Sequence, residues 1–173
     1  MAQKIKESPA TLTKEAFVDQ YGSIYEHSPW VAERCWDAGL DKQHDDVQVL
    51  AASMAAVLAK ATDDEKLQLI RAHPDLAGKA AKQGTLTSES TDEQASAGLD
   101  QCTESELERF QTLNDAYKAK FDFPFIMAVR GSNRHKILAG FEERLPNDYD
   151  TEVARALAEI NKIALLRLEA LAV

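Results

Sequence analysis

The stretch Asp45–Thr62, DDVQVLAASMAAVLAKAT, decides the fold class. Its apolar side chains recur three or four residues apart, which is the spacing of one face of an α-helix: Val47, Leu50, Met54, Val57, Leu58 and Ala61. The same spacing returns in Thr103–Phe121, in residues 137–145 and in Val153–Leu171. Because the long periodic stretches all follow helical spacing, we predict an all-α fold.

Polar residues at the expected helix starts support this prediction. Three Ser or Thr residues precede a glutamate by the spacing of a capping box, in which side chain and backbone satisfy each other's hydrogen-bonding groups: Thr62 with Glu65, Ser90 with Glu93, and Thr103 with Glu106. Ser28 before Pro29 predicts a further N-cap with proline in the first turn. Glycine and proline interrupt the pattern where helices should end. We therefore predict about eight helices joined by short links.

Length and composition fit a single domain. The chain has 173 residues, of which 45% are hydrophobic, which is enough for one core. The sequence contains no repeat and no low-complexity linker, so we predict one compact bundle over 1–173. No apolar run approaches the roughly eighteen residues that a membrane span needs, and the polar stretch Met1–Thr13 lacks a signal-peptide core. We expect a cytoplasmic protein without a membrane partner.

The charge balance is acidic. A formal net charge of −9 repels phosphate backbones, so we expect no nucleic-acid partner. Cys35 and Cys102 lack the spacing of a redox or metal pair and are predicted to be reduced thiols. The histidines are scattered, and the sequence has neither an HExxH zinc motif nor a glycine-rich phosphate loop. The sequence therefore predicts no metal site.

One apolar segment departs from helical spacing. Residues 121–131 read FDFPFIMAVRG, with a proline inside the run. Periodicity does not distinguish a short buried strand from a buried irregular stretch here. Such a segment suits the wall of a pocket, but most apolar runs belong to the core, which favours a connector that fills the core.

His73 is the first candidate for chemistry. It lies in AHPDLAGK, residues 72–79, directly after the amphipathic stretch Asp63–Arg71. Pro74 disfavours helical geometry for the residue before it, so His73 is expected to project from a helix C-terminus. The helix dipole there favours a protonated imidazole, which can donate a proton. The alternative is a histidine that only caps the helix.

A second polar cluster follows in residues 90–94, STDEQ. The capping-box spacing explains Ser90 and Glu93 as structural residues but leaves Gln94 unexplained. A helix start also offers backbone amides to an anionic ligand, so the same turn could cap itself or bind a polar ligand. Arg167 lies among leucines in the last helix, where an unpaired charge is costly. Its partner is either an internal carboxylate or a substrate.

Together these motifs resemble the OHCU decarboxylase family, which decarboxylates 2-oxo-4-hydroxy-4-carboxy-5-ureidoimidazoline (OHCU) at the end of urate oxidation. The matching motifs run in family order over nearly the whole chain: SPWVAE at 28–33, HPDL at 73–76, SxxEQ at 90–94 with AGL at 97–99, FPFI at 123–126 with VRG at 129–131, and Arg167. The combination is specific, whereas each motif alone is weak. The family often has glycine where this chain has Asp122.

The resemblance implies an all-helical fold, usually a homodimer, that acts on the small molecule OHCU without a metal or organic cofactor. It implies that His73 is the catalytic histidine and that Glu93 is its acidic partner. It also implies a larger set of substrate contacts: Pro74, Ser90, Thr91, Asp92, Gln94, Phe125, Ile126, Met127, Ala128, Val129 and Arg167. The implied products are (S)-allantoin and CO2.

Two alternatives to this function stay open. A non-catalytic helical interaction domain would explain the periodicity and the acidic surface, but not why so many residues match one site. A lyase or hydrolase that acts on a related ureido acid would share that site.

Overall fold

The computed structural model describes residues 2–173, apart from the side chains of Lys79 and Ala80. Within these residues it contains nine α-helices and no strand, which confirms the all-α prediction. The helices are α1 (Lys14–Tyr21), α2 (Trp30–Asp37), α3 (Val47–Lys60), α4 (Asp63–Arg71), α5 (Lys79–Gln83), α6 (Ser88–Ser96), α7 (Glu104–Phe121), α8 (Arg134–Arg144) and α9 (Tyr149–Leu171). Short 3-10 helices precede α1, α3 and α7: Pro9–Thr11, Lys42–Asp45 and Leu99–Gln101. No helix in this part of the chain is long and apolar enough to cross a membrane.

Two of the three predicted capping boxes are confirmed. The Thr62 hydroxyl accepts from the Glu65 amide at 3.1 Å, and the Glu65 carboxylate accepts from the Thr62 amide at 3.1 Å. Thr103 and Glu106 make the same pair of contacts at 3.2 and 3.0 Å. These caps satisfy backbone donors at the starts of α4 and α7, and such a cap typically contributes about 1 kcal/mol.

The predicted N-cap at Ser28 is wrong. α2 begins at Trp30, and Pro29 occupies the N-cap position without a side-chain hydrogen bond. The Ser28 hydroxyl instead donates to the carbonyl oxygen of Glu26 at 2.8 Å. Ser28 therefore stabilises the turn before the helix and not the helix start.

Two compact units are distinguished along the chain. The first comprises the residues up to Ala72 together with Asn161–Val173, and the second comprises His73–Ile160. Helices α1 to α4 and the end of α9 belong to the first unit, and α5 to α8 and the start of α9 belong to the second. The prediction of a single domain over 1–173 stays a prediction.

The first unit has an apolar core on its successive helices. α1 packs against α2, and α2 packs against α3. The Phe17 and Tyr21 rings of α1 lie 4.8 Å apart, and Leu50 and Met54 of α3 are fully buried. The two ends of the chain also meet in this unit, since the Val173 amide donates a hydrogen bond of 3.0 Å to the Lys4 carbonyl oxygen.

The second unit is built around aromatic side chains. The Tyr117 ring of α7 meets the Phe125 ring edge-on, with centroids 5.2 Å apart. The Phe125 ring in turn stacks on the Phe141 ring of α8 at 3.8 Å. These ring contacts bury the apolar segment that connects α7 with α8 in the chain.

This segment is a buried irregular stretch and not a short strand, which were the two structures that the sequence left open. α7 ends at Phe121 because Asp122 adopts a left-handed conformation, with φ of 60°, where glycine is usually favoured. Residues 123–129 then run without regular secondary structure and are buried apart from the half-buried Met127. The predicted irregular apolar segment near 121–131 is therefore confirmed.

Candidate active site

His73 lies in the loop His73–Gly78, which follows α4 in the chain. α4 ends at Arg71 with Ala72 as its C-cap, so His73 is the second residue beyond the helix, as Pro74 predicts. Its side chain is nearly buried, with the residue 9% exposed. Such burial limits the water that reaches the imidazole and strengthens its interaction with any bound charge.

Gln94 of α6 holds this loop. Its side-chain oxygen accepts from the Ala77 amide at 3.0 Å, and its side-chain nitrogen donates to the Asp75 carbonyl oxygen at 3.3 Å. Ala77 has φ of 53°, a left-handed conformation that costs a non-glycine residue roughly 1–2 kcal/mol. The hydrogen bond that the Ala77 amide donates to Gln94 helps to hold Ala77 in this conformation. The sequence did not reveal this structural role of Gln94.

α7 makes two further contacts with the loop. The buried Asn114 side chain donates to the Leu76 carbonyl oxygen at 2.9 Å. The Lys118 ammonium group lies 2.6 Å from the Asp75 carboxylate in a partly exposed ion pair, which contributes little to stability by itself. Three side chains from two helices therefore fix the residues that follow His73 and Pro74.

α6 begins earlier than predicted. Thr87 is its N-cap, and the Thr87 hydroxyl accepts from the Ser90 amide at 3.2 Å. The Thr87 carbonyl oxygen accepts from the Thr91 amide at 2.9 Å. Ser90 thus lies inside the first turn, so the predicted Ser90–Glu93 capping box is wrong. The backbone amides of Ser90 and Thr91 are thus both paired with Thr87.

α6 has one buried polar face. Residues three and four positions apart are neighbours on a helix, and Ser90, Glu93 and Gln94 are 5%, 8% and 5% exposed. Thr91 and Asp92, which were also predicted to contact substrate, are exposed. Since Gln94 is bonded to the His73–Gly78 loop, the structure brings this face and that loop together.

The segment Phe125–Val129 is held from α8. The Ile126 carbonyl oxygen accepts from Nη1 of Arg144 at 2.5 Å. The Arg144 guanidinium also lies 4.3 Å from the centre of the Phe125 ring. The segment is therefore a buried apolar stretch whose backbone is tied to a buried charge.

Neither this buried charge nor its partner was predicted from the sequence. Arg144 donates through Nε to Glu152 at 2.8 Å, and Glu152 also accepts from the Tyr117 hydroxyl at 2.5 Å and from Asn147 at 3.0 Å. Burial raises the pKa of Tyr117, and its hydrogen bond to Glu152 raises it further, so the phenol stays a donor. The sequence did contain a signal of the buried charge. Arg144 follows Phe141 by three residues, so it lies on the apolar face of the predicted helix.

Arg167 lies in the first unit, near the end of α9, and is 4% exposed. Its Nη2 donates to the Glu26 carboxylate at 2.9 Å, and its Nη1 donates to the carbonyl oxygens of Ser23 and Ile24, both at 3.3 Å. Of the two partners that the sequence left open, an internal carboxylate is thus present. All other predicted site residues belong to the second unit.

Comparison with known proteins shows which family the sequence belongs to. The sequence model described as OHCU decarboxylase matches residues 10–169. The chain belongs to the OHCU decarboxylase family. One relative, the 2-oxo-4-hydroxy-4-carboxy-5-ureidoimidazoline decarboxylase of Halalkalicoccus jeotgali, is 44% identical over 160 residues, which are 92% of this chain and 87% of the relative. The family match confirms the resemblance drawn from the sequence motifs.

Solved structures agree with the OHCU decarboxylase assignment. A crystal structure of (S)-allantoin synthase superposes with a TM-score of 0.73 at 33% identity, over 94% of this chain and 52% of that chain. A crystal structure of OHCU decarboxylase in the presence of (S)-allantoin gives a TM-score of 0.68 at 23% identity, over 88% of this chain and 96% of that chain. At 23% identity this second likeness concerns the fold alone.

Proposed function

We propose that His73 and Glu93 are the proton-transferring residues of an enzyme that converts OHCU into (S)-allantoin and CO2 during urate degradation. The decarboxylase activity follows from family membership, so the chain is a lyase and not the interaction domain that the sequence left open. The match over residues 10–169 carries the proposal, because it includes both the His73–Gly78 loop and the buried face of α6.

The substrate explains why two protonic side chains can suffice. Decarboxylation leaves an electron pair on carbon, and many decarboxylases use pyridoxal phosphate, thiamine diphosphate or a metal to accept it. In OHCU the carbon that bears the carboxylate adjoins a ring C=N bond, which can accept the pair. Loss of CO2 moves the pair to the ring nitrogen, which takes one proton, and gives an ene-type intermediate. The hydroxyl of this intermediate then loses its proton and collapses to a carbonyl, while the ureido-bearing carbon takes a proton. The proposed reaction therefore uses no cofactor.

His73 and Glu93 are proposed to manage the protons. Glu93 polarises the substrate hydroxyl or a ring nitrogen, or accepts its proton, while His73 assists the loss of carboxylate or delivers the proton to carbon. Their low exposure, 9% and 8%, supports this assignment because it limits competing proton transfer from bulk water. Positioned acid–base groups of this kind typically contribute about 10²–10⁴-fold to the rate.

The remaining predicted contacts are proposed to orient OHCU. The assignment of Pro74 is supported by its place in the His73–Gly78 loop. Those of Ser90 and Gln94 are supported by their place on the face of α6 that also carries Glu93. Thr91 and Asp92 stay predictions, and their exposed positions lend them no such support.

The apolar wall Phe125–Val129 is proposed to line the ring and to keep water from one face, so that a single enantiomer forms. Arg167, which lies in the first unit, stays a substrate contact predicted from the family resemblance. Glu26 would hold its guanidinium in one orientation through their hydrogen bond of 2.9 Å.

We also propose a cytoplasmic homodimer of a single domain over 1–173. The family resemblance supports the dimer, and the cytoplasmic location stays a prediction from the sequence. Sedimentation equilibrium should give about twice the chain mass of 19.1 kDa. A mass of one chain at micromolar concentration would contradict the dimer.

The function is tested with freshly generated OHCU. The protein should speed the appearance of the circular dichroism of (S)-allantoin over the spontaneous background, with equal amounts of CO2 released. If allantoin and CO2 form no faster than in the blank, the proposal is wrong. Consumption of the substrate without CO2 release would instead support a hydrolase of a related ureido acid.

A further inference from the structure

α8 lies directly against the segment Phe125–Val129. The rings of Phe141 and Phe125 stack at 3.8 Å with an interplanar angle of 19°. Gly140 leaves room for Met127, because a Cβ built at position 140 would stand 3.1 Å from the Met127 sulfur and 3.6 Å from the Phe125 ring. Since the segment has no helical or strand hydrogen bonds of its own, its shape depends on contacts of this kind.

Arg144 adds a polar anchor to the same helix. It lies one turn after Gly140 and contacts both the backbone and an aromatic ring of the segment. Its Nη1 donates to the Ile126 carbonyl oxygen at 2.5 Å, and its guanidinium lies 4.3 Å from the centre of the Phe125 ring. The guanidinium is itself held through Nε by Glu152 at 2.8 Å. α8 therefore contacts three consecutive residues of the segment, from 125 to 127.

Stability alone does not account for this anchor. Arg144 is 2% exposed and Glu152 is fully buried, and a buried ion pair contributes little net stability because both charges lose their hydration. A buried charge that adds little net stability, yet holds a backbone carbonyl and an aromatic ring together, points to a role in geometry.

We propose that α8 positions the wall Phe125–Val129, with Arg144 as its anchor, and that this positioning shields one face of the bound substrate. The inference rests on the proposed function, in which the wall lines the ring of OHCU. Arg144 acts through Ile126 and Phe125, so it is a positioning residue. A displacement of about 1 Å in such a wall can cost on the order of 10²-fold in rate.

The first test replaces the anchor by Arg144→Lys. Lysine keeps the positive charge beside Glu152 but lacks the planar fork that reaches a carboxylate and a carbonyl together while lying on a ring. We expect kcat to fall by about tenfold or more, KM to change less, and the fraction of (S)-allantoin in the product to fall. The matched control is Arg109→Lys, which alters the exposed ion pair between Arg109 of α7 and Glu142 of α8 and should leave both kcat and the product unchanged.

The product ratio must be separated from spontaneous reaction. Enzyme amounts are therefore chosen so that every sample releases CO2 at the same rate above the blank. Leu58→Val, in the buried core of α3, serves as a second control, because it should lower the melting temperature without changing the fraction of (S)-allantoin.

A second variant displaces the wall while Arg144 stays intact. Gly140→Ala places a Cβ against Met127, so it should also lower kcat and the fraction of (S)-allantoin. This variant decides the question alone if Arg144→Lys does not fold.

The outcomes are distinct. Wild-type kcat and product ratio in the folded variants would overturn the inference, and so would a lower melting temperature with an unchanged product ratio, as expected for Leu58→Val. Failure of the wild-type protein to accelerate the reaction would overturn the proposed function instead.

Discussion

Gln94→Met isolates the contact between α6 and the His73–Gly78 loop. Methionine resembles glutamine in length and in helix propensity, and residue 94 is 5% exposed, so the change removes polar groups without opening a large cavity. It leaves the Ala77 amide and the Asp75 carbonyl oxygen without the partners that now lie at 3.0 and 3.3 Å.

The expected loss follows from these two groups. A buried donor or acceptor left unpaired costs about 1–3 kcal/mol, and the Asp75 contact is only partly buried, so we expect a loss of about 2–4 kcal/mol. In a chain of this size that corresponds to a fall in melting temperature of roughly 5–15 °C. The backbone amide of Ala77 should also exchange with solvent faster.

Thermal unfolding followed by far-ultraviolet circular dichroism measures the loss, and amide hydrogen exchange at Ala77 locates it. Gln111→Met is the matched control, because the Gln111 side chain on α7 is exposed and bonds only to Asp115 one turn away. It should change the free energy of unfolding by less than about 0.5 kcal/mol. If Gln94→Met melts within about 1 °C of the wild type and Ala77 keeps its protection, α6 does not hold the loop.

Three further predictions concern other parts of the chain. Asp122→Gly should stabilise the protein by about 0.5–1 kcal/mol in urea unfolding, because residue 122 holds φ of 60° at the end of α7. Glu65→Gln should make the free energy of unfolding fall less steeply with decreasing pH. The hydrogen bond from Arg34 lowers the Glu65 pKa from 4.5 to about 2. The stabilisation by the ionised carboxylate is therefore complete above the pKa of the unfolded state and is lost as the pH falls through the pKa of the folded state. Glu26→Leu should cost about 3–5 kcal/mol, since it leaves Arg167 charged and buried without its carboxylate, and adding Arg167→Met should recover much of that loss.

Each of these has a contradicting result. A less stable Asp122→Gly would show that contacts of the aspartate outweigh its backbone strain. Identical unfolding midpoints of the wild type and Glu65→Gln from pH 5 to pH 2 would mean that the Arg34 contact does not persist in solution. A cost below about 1 kcal/mol for Glu26→Leu would show that water or another group compensates Arg167.

The helices could be predicted because their signals are local. The apolar period of α3 lies within a few turns of chain, and the caps at Thr62 and Thr103 depend on residues three positions apart. Pro74 likewise indicates the helix end before His73 through a steric effect on its immediate neighbour.

The start of α6 could not be located in the same way. Residues 85–90 read TLTSES, so several hydroxyl groups could cap the helix, and spacing alone does not choose between them. Thr87 is the N-cap in the structure, which places Ser90 inside the helix, on the same buried face as Glu93 and Gln94.

Long-range partners lay further out of reach. Arg167 pairs with Glu26, which is 141 positions earlier in the sequence, and no local pattern connects them. Arg144 could have been noticed on the apolar face of its helix, but its contact with the Ile126 carbonyl oxygen depends on the path of an irregular segment. Irregular backbone has no period from which its path could be predicted.

The central claim is tested most directly by steady-state turnover of fresh OHCU with His73→Gln and Glu93→Gln. His135→Gln, on the exposed surface of α8, is the matched control. Both site variants should keep the helical circular dichroism of the wild type and lose about 10²-fold or more in kcat, while His135→Gln keeps its activity. Near wild-type turnover by a folded His73→Gln or Glu93→Gln variant would contradict the proposed roles of these two residues.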